Sequence, residues 1–165
     1  VLIKATTEAL IRVPALNSVL VNDVIMKFDR VNIAFAVALD DGLVVPVIRE
    51  TNSKNIREIA GEVKTLADAA KNGILGPDDF MGGTFTISIL GSVDGFTPIL
   101  NQSQVGLLGV GRSIQKPIVK DGQVVIREMM TLSLTGDHQV VDGAVAASFF
   151  RRLQRLIESP SKLFA

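Results

Sequence analysis

The sequence lacks cysteine altogether and has a single histidine among its 165 residues. Without cysteine, disulfide bonds and thiolate zinc sites are excluded, so the substrates must supply every thiol that takes part in a reaction. The lack of disulfides also fits a cytoplasmic protein. No signal peptide is visible, and the chain opens on Val1 in the middle of a helical pattern, so we expect a preceding N-terminal part in the parent protein.

Charge of one sign and long apolar runs are also missing. Seventeen basic and seventeen acidic residues cancel, and no predicted helix gathers a basic stripe, so we expect no nucleic-acid partner. The longest apolar runs, 33–39 and 43–48, are far shorter than the roughly 20 residues that cross a bilayer, so no membrane contact is expected. A hydrophobic content of 47% with a mean hydropathy of +0.38 predicts burial of apolar surface against other subunits.

Apolar periodicity predicts three helices and a series of short strands. The helices cover 2–13, the stretch from a capping box at Asn55 to Gly73, and the last apolar-periodic segment before Pro160. Several strands follow one another through tight turns, which favours a mixed sheet over a doubly wound parallel fold. We predict a single α/β domain, a two-layer sandwich with the helices on one side of the sheet. The predicted strands are 18–21, 24–28, 31–39, 43–48, 84–90, 105–110, 117–120, 123–128 and 130–135.

The single histidine, His138, lies in TGDHQVVDGA between a predicted strand and the last helix. A lone histidine is more often structural than catalytic, and Asp142, directly before Gly143 and an apolar-periodic run, has the ordinary role of a helix N-cap. However, an aspartate four residues and a glycine five residues after a histidine arise by composition alone with a chance of roughly one in 200. This spacing makes His138 a candidate site residue.

Ser88 is a second candidate, in the segment GGTFTISILG. This segment combines a predicted strand with a small hydroxyl near its end and a glycine turn after it. On a structural interpretation, Thr86 and Ser88 are polar positions on the outer face of a strand. The segment taken alone favours that interpretation.

Further segments favour a functional interpretation of His138 and Ser88 over a structural one. They are GGTFTISILG, FTPILN, VGLLGVGR and LSLTGDHQVVDGAVAASFFRRLQRLIESP, with DDGLVVPVI and NIREIAGEVKTLADAAKNG upstream. Together they resemble the catalytic domain of dihydrolipoyl acyltransferases, the core components of 2-oxo acid dehydrogenase complexes. The resemblance implies a fold like that of chloramphenicol acetyltransferase. It covers almost the whole chain, so we expect an acyltransferase domain over 1–165 that lacks roughly the first quarter of the usual one.

The resemblance implies that an acyl group passes from a thioester of lipoamide to the thiol of coenzyme A, both acting as substrates, without a metal. The family's HxxxDG motif falls on His138 as general base, and its strand serine falls on Ser88 as hydrogen-bond donor to the oxyanion. In related enzymes the motif aspartate, here Asp142, pairs with an arginine near the domain's start, and this role stands beside that of N-cap. Gln139 and Ile89 depart from the family's arginine and asparagine.

The resemblance also implies partners. Family domains form trimers with the active site between subunits, so His138 of one chain would face Ser88 of its neighbour. The trimers form a cubic or dodecahedral core that works with a 2-oxo acid decarboxylase and dihydrolipoamide dehydrogenase. Leu163 and Phe164 are candidates for the contact between trimers, or they fold back on their own domain. The expected location is the cytoplasm, or the mitochondrial matrix in a eukaryote.

Two other functions stay open at this point. The first is a non-catalytic core or scaffold subunit of the same complex; His138 and Ser88 argue against it, and Gln139 argues for it. The second is an antibiotic acetyltransferase of the same fold, although GGTFTIS and DDGLVVPVI are more typical of the lipoyl branch. The motifs leave the acyl group unidentified, since acetyl, succinyl and branched-chain members share them.

Overall fold

A computed structural model describes residues 1–164, apart from the Lys162 side chain. The described residues form three α-helices where the sequence predicts them: α1 (Leu2–Arg12), α2 (Ile56–Lys71) and α3 (Gly143–Glu158). The described residues also form eleven short strands. They are β1 (Ser18–Val21), β2 (Val24–Lys27), β3 (Ile33–Phe35), β4 (Val37–Leu39), β5 (Gly42–Val44), β6 (Val47–Ile48), β7 (Phe85–Leu90), β8 (Gly106–Gly111), β9 (Ile114–Lys120), β10 (Gln123–Met129) and β11 (Leu132–Gly136).

Five of the strands form a central sheet in the order β11-β8-β7-β3-β6. β7 runs parallel to its neighbours β3 and β8, whereas β6 and β11 pair antiparallel at the two edges. The sheet is therefore mixed, as predicted. The other strands pair into antiparallel ribbons, β1 with β2, β4 with β5, and β9 with β10.

The two faces of the sheet have different neighbours. On β7, Phe85 and Ile87 belong to the hydrophobic core formed with α1 and α3, where the Phe85 and Phe149 ring centroids lie 5.8 Å apart. Successive side chains of a strand point to opposite faces, so Thr86 and Ser88 point away from α1 and α3. Helices packed against one face of a mixed sheet confirm the predicted two-layer sandwich. The alternation also separates the residues that build the core from those that can meet a ligand.

Two predicted strands are each divided into two. The run 31–39 breaks at Ala36, so that β3 joins the central sheet while β4 pairs with β5. The run 43–48 breaks at Pro46, because proline has no N–H for the ladder and restricts the residue before it. The Pro46 carbonyl still accepts a hydrogen bond from the Phe35 N–H at 3.0 Å. The prediction of continuous strands is therefore wrong at these two positions.

The predicted capping box of α2 is confirmed. Asn55 Oδ1 accepts hydrogen bonds from the backbone N–H groups of Arg57 (2.9 Å) and Glu58 (3.0 Å), and the Glu58 side chain accepts one from the Asn55 N–H (2.7 Å). Gly73 follows the helix with φ at +67°, a left-handed conformation that favours glycine. In the described part of the chain, no helix is both long and apolar enough to cross a membrane.

The two apolar residues near the C-terminus lie in different surroundings. Leu163 is 7% exposed and packs in the core of its own domain, which favours the alternative that it folds back. Phe164 is 68% exposed and stays available for a contact. Of the two residues, only Phe164 thus stays a candidate for the contact between trimers by its exposure.

Candidate active site

His138 lies on a tight turn between β11 and α3, and Asp137 holds this turn. The Asp137 N–H donates to the Val105 carbonyl at 3.0 Å, which extends the pairing of β11 with β8 by one residue. The Asp137 carboxylate accepts a hydrogen bond from the Gln139 N–H (3.0 Å), and its carbonyl accepts one from the Val141 N–H (2.9 Å). His138 is exposed on a backbone that these bonds fix. The sequence-based prediction misses Asp137, although aspartate commonly starts such a turn.

Asp142 is the N-cap of α3. Its carboxylate accepts a hydrogen bond from the Val145 N–H at 2.9 Å. Among the described side chains, no lysine or arginine forms an ion pair with Asp142. The N-cap role is therefore confirmed, and the arginine pair is absent from this part of the molecule. Asp137 at the end of β11 and Asp142 at the start of α3 together hold the segment that carries His138.

Ser88 lies on β7 in the middle of the central sheet, in register with Gly109 of β8. Its half-buried side chain lines a cavity of about 310 Å³. Among the hydrogen bonds within residues 1–164, none involves the Ser88 hydroxyl, so its proton is available to a bound molecule. Most of the cavity wall is apolar: Leu43, Val45, Phe96, Pro98, Ile99 and Leu107 contribute to it.

The connection between β7 and β8 forms one wall of this cavity and lies directly on the sheet. Glycines on β8 make the close approach possible. A Cβ at Gly109 would lie 3.0 Å from the Pro98 side chain, and a Cβ at Gly111 would lie 2.0 Å from the Asp94 carbonyl oxygen. The Thr135 hydroxyl donates to the Pro98 carbonyl at 2.6 Å and holds the connection from the neighbouring strand.

A chain of hydrogen bonds forms the polar floor of the same cavity. The Thr86 hydroxyl donates to Gln104 Oε1 at 2.6 Å, and Asn101 Nδ2 donates to the Thr86 oxygen at 2.7 Å. Gln104 Nε2 donates to the Gly83 carbonyl at 3.0 Å. Thr86 and Gln104 are buried, and Asn101 is half-buried and lines the cavity with Ser88. Thr86 thus lies on the face of β7 that points away from the helices, but at 1% exposure it is buried and not on an outer surface as the structural interpretation predicted.

Ser88 and His138 of one chain lie far apart. Ser88 is opposite Gly109, whereas the end of β11 is opposite Val105, four residues back along β8. Four residues span about 13 Å and two strand spacings span about 10 Å, so the separation is about 16 Å. A hydrogen bond between the two side chains would need Cα atoms within roughly 10 Å. The chain therefore does not bring its own two predicted catalytic residues together.

These groups can move a proton and hold a carbonyl oxygen. His138 offers an exposed imidazole, Ser88 an available hydroxyl, and Asn101 an amide beside an apolar cavity. Within the described residues, no group of three or more histidine, cysteine, aspartate or glutamate side chains is placed to hold a metal ion. The arrangement suits acid–base chemistry on a carbonyl compound with an apolar part.

Two curated relatives of this chain have the same description. A curated relative is the dihydrolipoyllysine-residue acetyltransferase component of pyruvate dehydrogenase complex from Rickettsia prowazekii, which is 42% identical over 161 residues. That alignment covers 96% of this chain and 40% of the relative. A Staphylococcus aureus protein of the same name is 40% identical and is covered over 38% of its length. The chain thus spans about two fifths of the length of the curated relatives it matches.

Solved structures agree with the fold. The cubic core of the pyruvate dehydrogenase multienzyme complex has a TM-score of 0.92 at 40% identity, covering 99% of this chain and 69% of that one. A structure that addresses the catalytic roles of a serine, a histidine and an asparagine in Azotobacter vinelandii dihydrolipoamide acetyltransferase has the same TM-score and coverage at 39% identity. Chloramphenicol acetyltransferase, 15% identical with a TM-score of 0.55 over 93% of this chain and 74% of that one, shares the fold alone.

The model of one protein family matches the sequence from end to end, over residues 1–165. Its description is 2-oxoacid dehydrogenases acyltransferase, catalytic domain. The match agrees with the relatives and with the solved structures at 36–40% identity. The chain therefore belongs to the acyltransferase family of the 2-oxoacid dehydrogenases.

Proposed function

We propose that the chain is the catalytic domain of a dihydrolipoyllysine-residue acyltransferase, which passes an acyl group between lipoamide and coenzyme A in a 2-oxo acid dehydrogenase complex. The observation that carries the proposal is the placement of Ser88 in an apolar cavity and of His138 on a fixed, exposed turn. Both lie in a chain of this family. The acyl group is acetyl, because the similar curated proteins are named acetyltransferases of pyruvate dehydrogenase complexes.

His138 is the general base of the reaction. A neutral imidazole can take the proton of the attacking coenzyme A thiol while its sulfur bonds to the thioester carbonyl carbon. The carbonyl electron pair moves to oxygen and then returns, which breaks the bond from carbon to the lipoyl sulfur. The imidazolium gives its proton to that leaving sulfur, so His138 ends the cycle neutral. The exposure of His138 supports this role, since the ring is open to a thiol brought by another molecule.

Ser88 stabilises the oxyanion formed in the first step. Its hydroxyl lines the cavity and is not engaged within the described residues, so it can donate to the negatively charged oxygen. One such donor is typically worth about 3 kcal/mol in the transition state. The apolar walls strengthen the interaction, because they exclude water and lower the local dielectric constant.

Two copies of the chain complete each active site. The end of β11, just before His138, lies about 16 Å from Ser88, which supports a site built from two copies. We propose a homotrimer. In it, the His138 turn of one subunit reaches the Ser88 cavity of the next, so that the two residues meet across the interface. The β9–β10 ribbon supports contacts between copies, since Val119, Val124 and Ile126 are each at least 70% exposed.

The trimer is part of a larger assembly. The structure that this chain resembles at 40% identity is a cubic core of the pyruvate dehydrogenase multienzyme complex, which supports a cubic core for this protein too. Such a core works with a 2-oxo acid decarboxylase and dihydrolipoamide dehydrogenase. We place the assembly in the cytoplasm, or in the mitochondrial matrix of a eukaryote.

Asp142 is a positioning residue for His138. In the Azotobacter structure, the asparagine under study lies four residues after the histidine, and Asp142 has this spacing from His138. Asparagine and aspartate are both good N-caps. The shared property supports a role in which the capped start of α3 holds the His138 turn in place.

The rival function is a scaffold subunit without catalytic activity. A coupled assay with free dihydrolipoamide and acetyl-CoA separates the two, using the full-length protein. Acetyl transfer that disappears in His138→Ala supports the acyltransferase, whereas assembled protein without turnover supports the scaffold. Isobutyryl-CoA and succinyl-CoA in the same assay test the acyl group, and chloramphenicol as acceptor tests the antibiotic acetyltransferase.

A further inference from the structure

We infer that Asn101 binds a secondary amide in one of the two thiol-bearing arms, and that Thr86 and Gln104 fix the orientation this requires. The inference rests on the proposed function, because it concerns the cavity beside Ser88. The proposed contact lies away from the reacting sulfur and carbonyl atoms.

The direction of each hydrogen bond in the cavity floor follows from its partners. The Gly83 carbonyl can only accept, so Gln104 turns its Nε2 toward it and presents Oε1 to Thr86. The single hydroxyl proton of Thr86 is donated to that oxygen at 2.6 Å. The Thr86 oxygen then accepts from Asn101 Nδ2 at 2.7 Å. A flipped Asn101 would bring two acceptor oxygens together, so the network permits one orientation of its amide.

Asn101 keeps most of its hydrogen-bonding capacity. A primary amide has two N–H protons and an acceptor oxygen, and the bond to Thr86 uses one proton. Within the described residues, no other hydrogen bond engages the Asn101 side chain. Because Asn101 is half-buried and lines the Ser88 cavity, the remaining donor and acceptor are available there. The Asn101 oxygen can therefore accept a hydrogen bond from the N–H of a secondary amide, whose trans geometry directs its carbonyl to the opposite side.

Both proposed substrates contain such an amide beside hydrocarbon. The lipoyl arm has one where its aliphatic chain joins lysine, and coenzyme A has amides in its pantetheine arm. The apolar walls, which include Leu43, Val45 and Phe96, suit the hydrocarbon that flanks either amide. The shared chemistry is thus a secondary amide on a thiol-bearing arm, and the test identifies its source.

The test compares each amide with an ester of the same shape, which lacks the N–H. N-methyl dihydrolipoamide is paired with methyl dihydrolipoate, and N-acetylcysteamine with 2-mercaptoethyl acetate. Dissociation constants are measured by titration of the assembled full-length protein, so that the result does not depend on turnover. We expect the wild-type protein to bind the amide two to ten times more tightly than the ester in one pair, roughly the value of one hydrogen bond. That pair identifies the arm.

Variants locate the preference. The Asn101→Ala protein should bind amide and ester ligands equally. Gln102→Ala is the control, because it removes the exposed side-chain amide of the next residue, and it should keep the wild-type preference. Thr86→Val should also lose the preference, because it removes the hydroxyl that orients Asn101, and Thr86→Ser should restore it. The amide and ester dissociation constants of the wild-type protein test the inference even if a variant fails to fold.

The outcomes separate this inference from the proposed function. Equal binding of amide and ester by the wild-type protein in both pairs overturns the inference, and so does an amide preference that persists in Asn101→Ala. Acetyl transfer without an amide preference leaves the acyltransferase standing and removes Asn101 from substrate binding. An amide preference without acetyl transfer overturns the acyltransferase and leaves Asn101 as a residue that binds the substrate amide.

Discussion

Ser88 on β7 lies opposite Gly109 on β8, on the face of the sheet that points away from α1 and α3. The absence of a side chain at Gly109 lets the β7–β8 connection lie close to Ser88 and form a cavity beside it. The same register places Ser88 about 16 Å from the end of β11, where His138 follows. One strand pairing thus builds one half of the proposed site and separates it from the other half.

The shared site can be tested by complementation. His138→Ala and Ser88→Ala are each expected to be nearly inactive when expressed alone. Co-expression of the two variants should restore roughly a quarter of the wild-type sites, because an interface between random neighbours combines an intact serine with an intact histidine in one case of four. Turnover of the purified mixed assembly is measured in the dihydrolipoamide assay. A mixed assembly as inactive as its parents would show that no site is built from two copies.

Ser88→Ala should lower kcat by about 10² to 10³ with little change in KM, because the lost hydrogen bond is formed mainly in the transition state. Ser92→Ala is the matched control, since it removes an exposed hydroxyl just after β7 that does not line the cavity. Steady-state kinetics of both variants provide the measurement. A rise in KM at unchanged kcat would instead assign Ser88 to substrate binding.

Asp142→Ala should destabilise the domain by about 0.5–2 kcal/mol, because α3 loses its N-cap. Asp142→Asn keeps an oxygen that accepts from the Val145 N–H, so it should retain both stability and turnover. Urea unfolding gives the stability, and the acyl-transfer assay gives the activity. If Asp142→Asn is stable and inactive, the negative charge of Asp142 contributes something that the N-cap role does not include.

Gly111→Ala should move the β7–β8 connection, because its Cβ would lie 2.0 Å from the Asp94 carbonyl oxygen. The expected cost is about 1–3 kcal/mol, typical of overpacking, with a loss of turnover because the connection forms a wall of the Ser88 cavity. Gly61→Ala is the control, since nothing lies within 4 Å of its added Cβ on the exposed face of α2. It should be neutral or stabilising by up to about 1 kcal/mol. Equal effects of the two substitutions on unfolding would contradict the proposed close contact.

Patterns confined to a few neighbouring residues predicted most elements correctly. The capping box at Asn55 and the apolar face of α3 depend on spacings of three and four residues, which the sequence displays directly. The break at Ala36 was not predictable in this way. The break arises because β3 pairs within the central sheet whereas β4 pairs with β5. The composition of 31–39 does not indicate which partner each half of the run takes.

The proposed site was predictable in its reacting groups and not in its surroundings. His138 and Ser88 stand out by motif, and Asp142 by its position before Gly143. Asn101 and Gln104 have no local signal, because their partner Thr86 lies 15 and 18 residues away along the chain. The parallel pairing of β7 with β8 brings them together, and such non-local contacts are fixed only by the folded topology.

The distance between Ser88 and His138 also gives the proposed enzyme a safeguard during its own synthesis. A newly made chain that has folded but not yet met its neighbours carries two half-sites that cannot cooperate. Under the proposed shared site, acyl transfer therefore begins only after subunits have assembled.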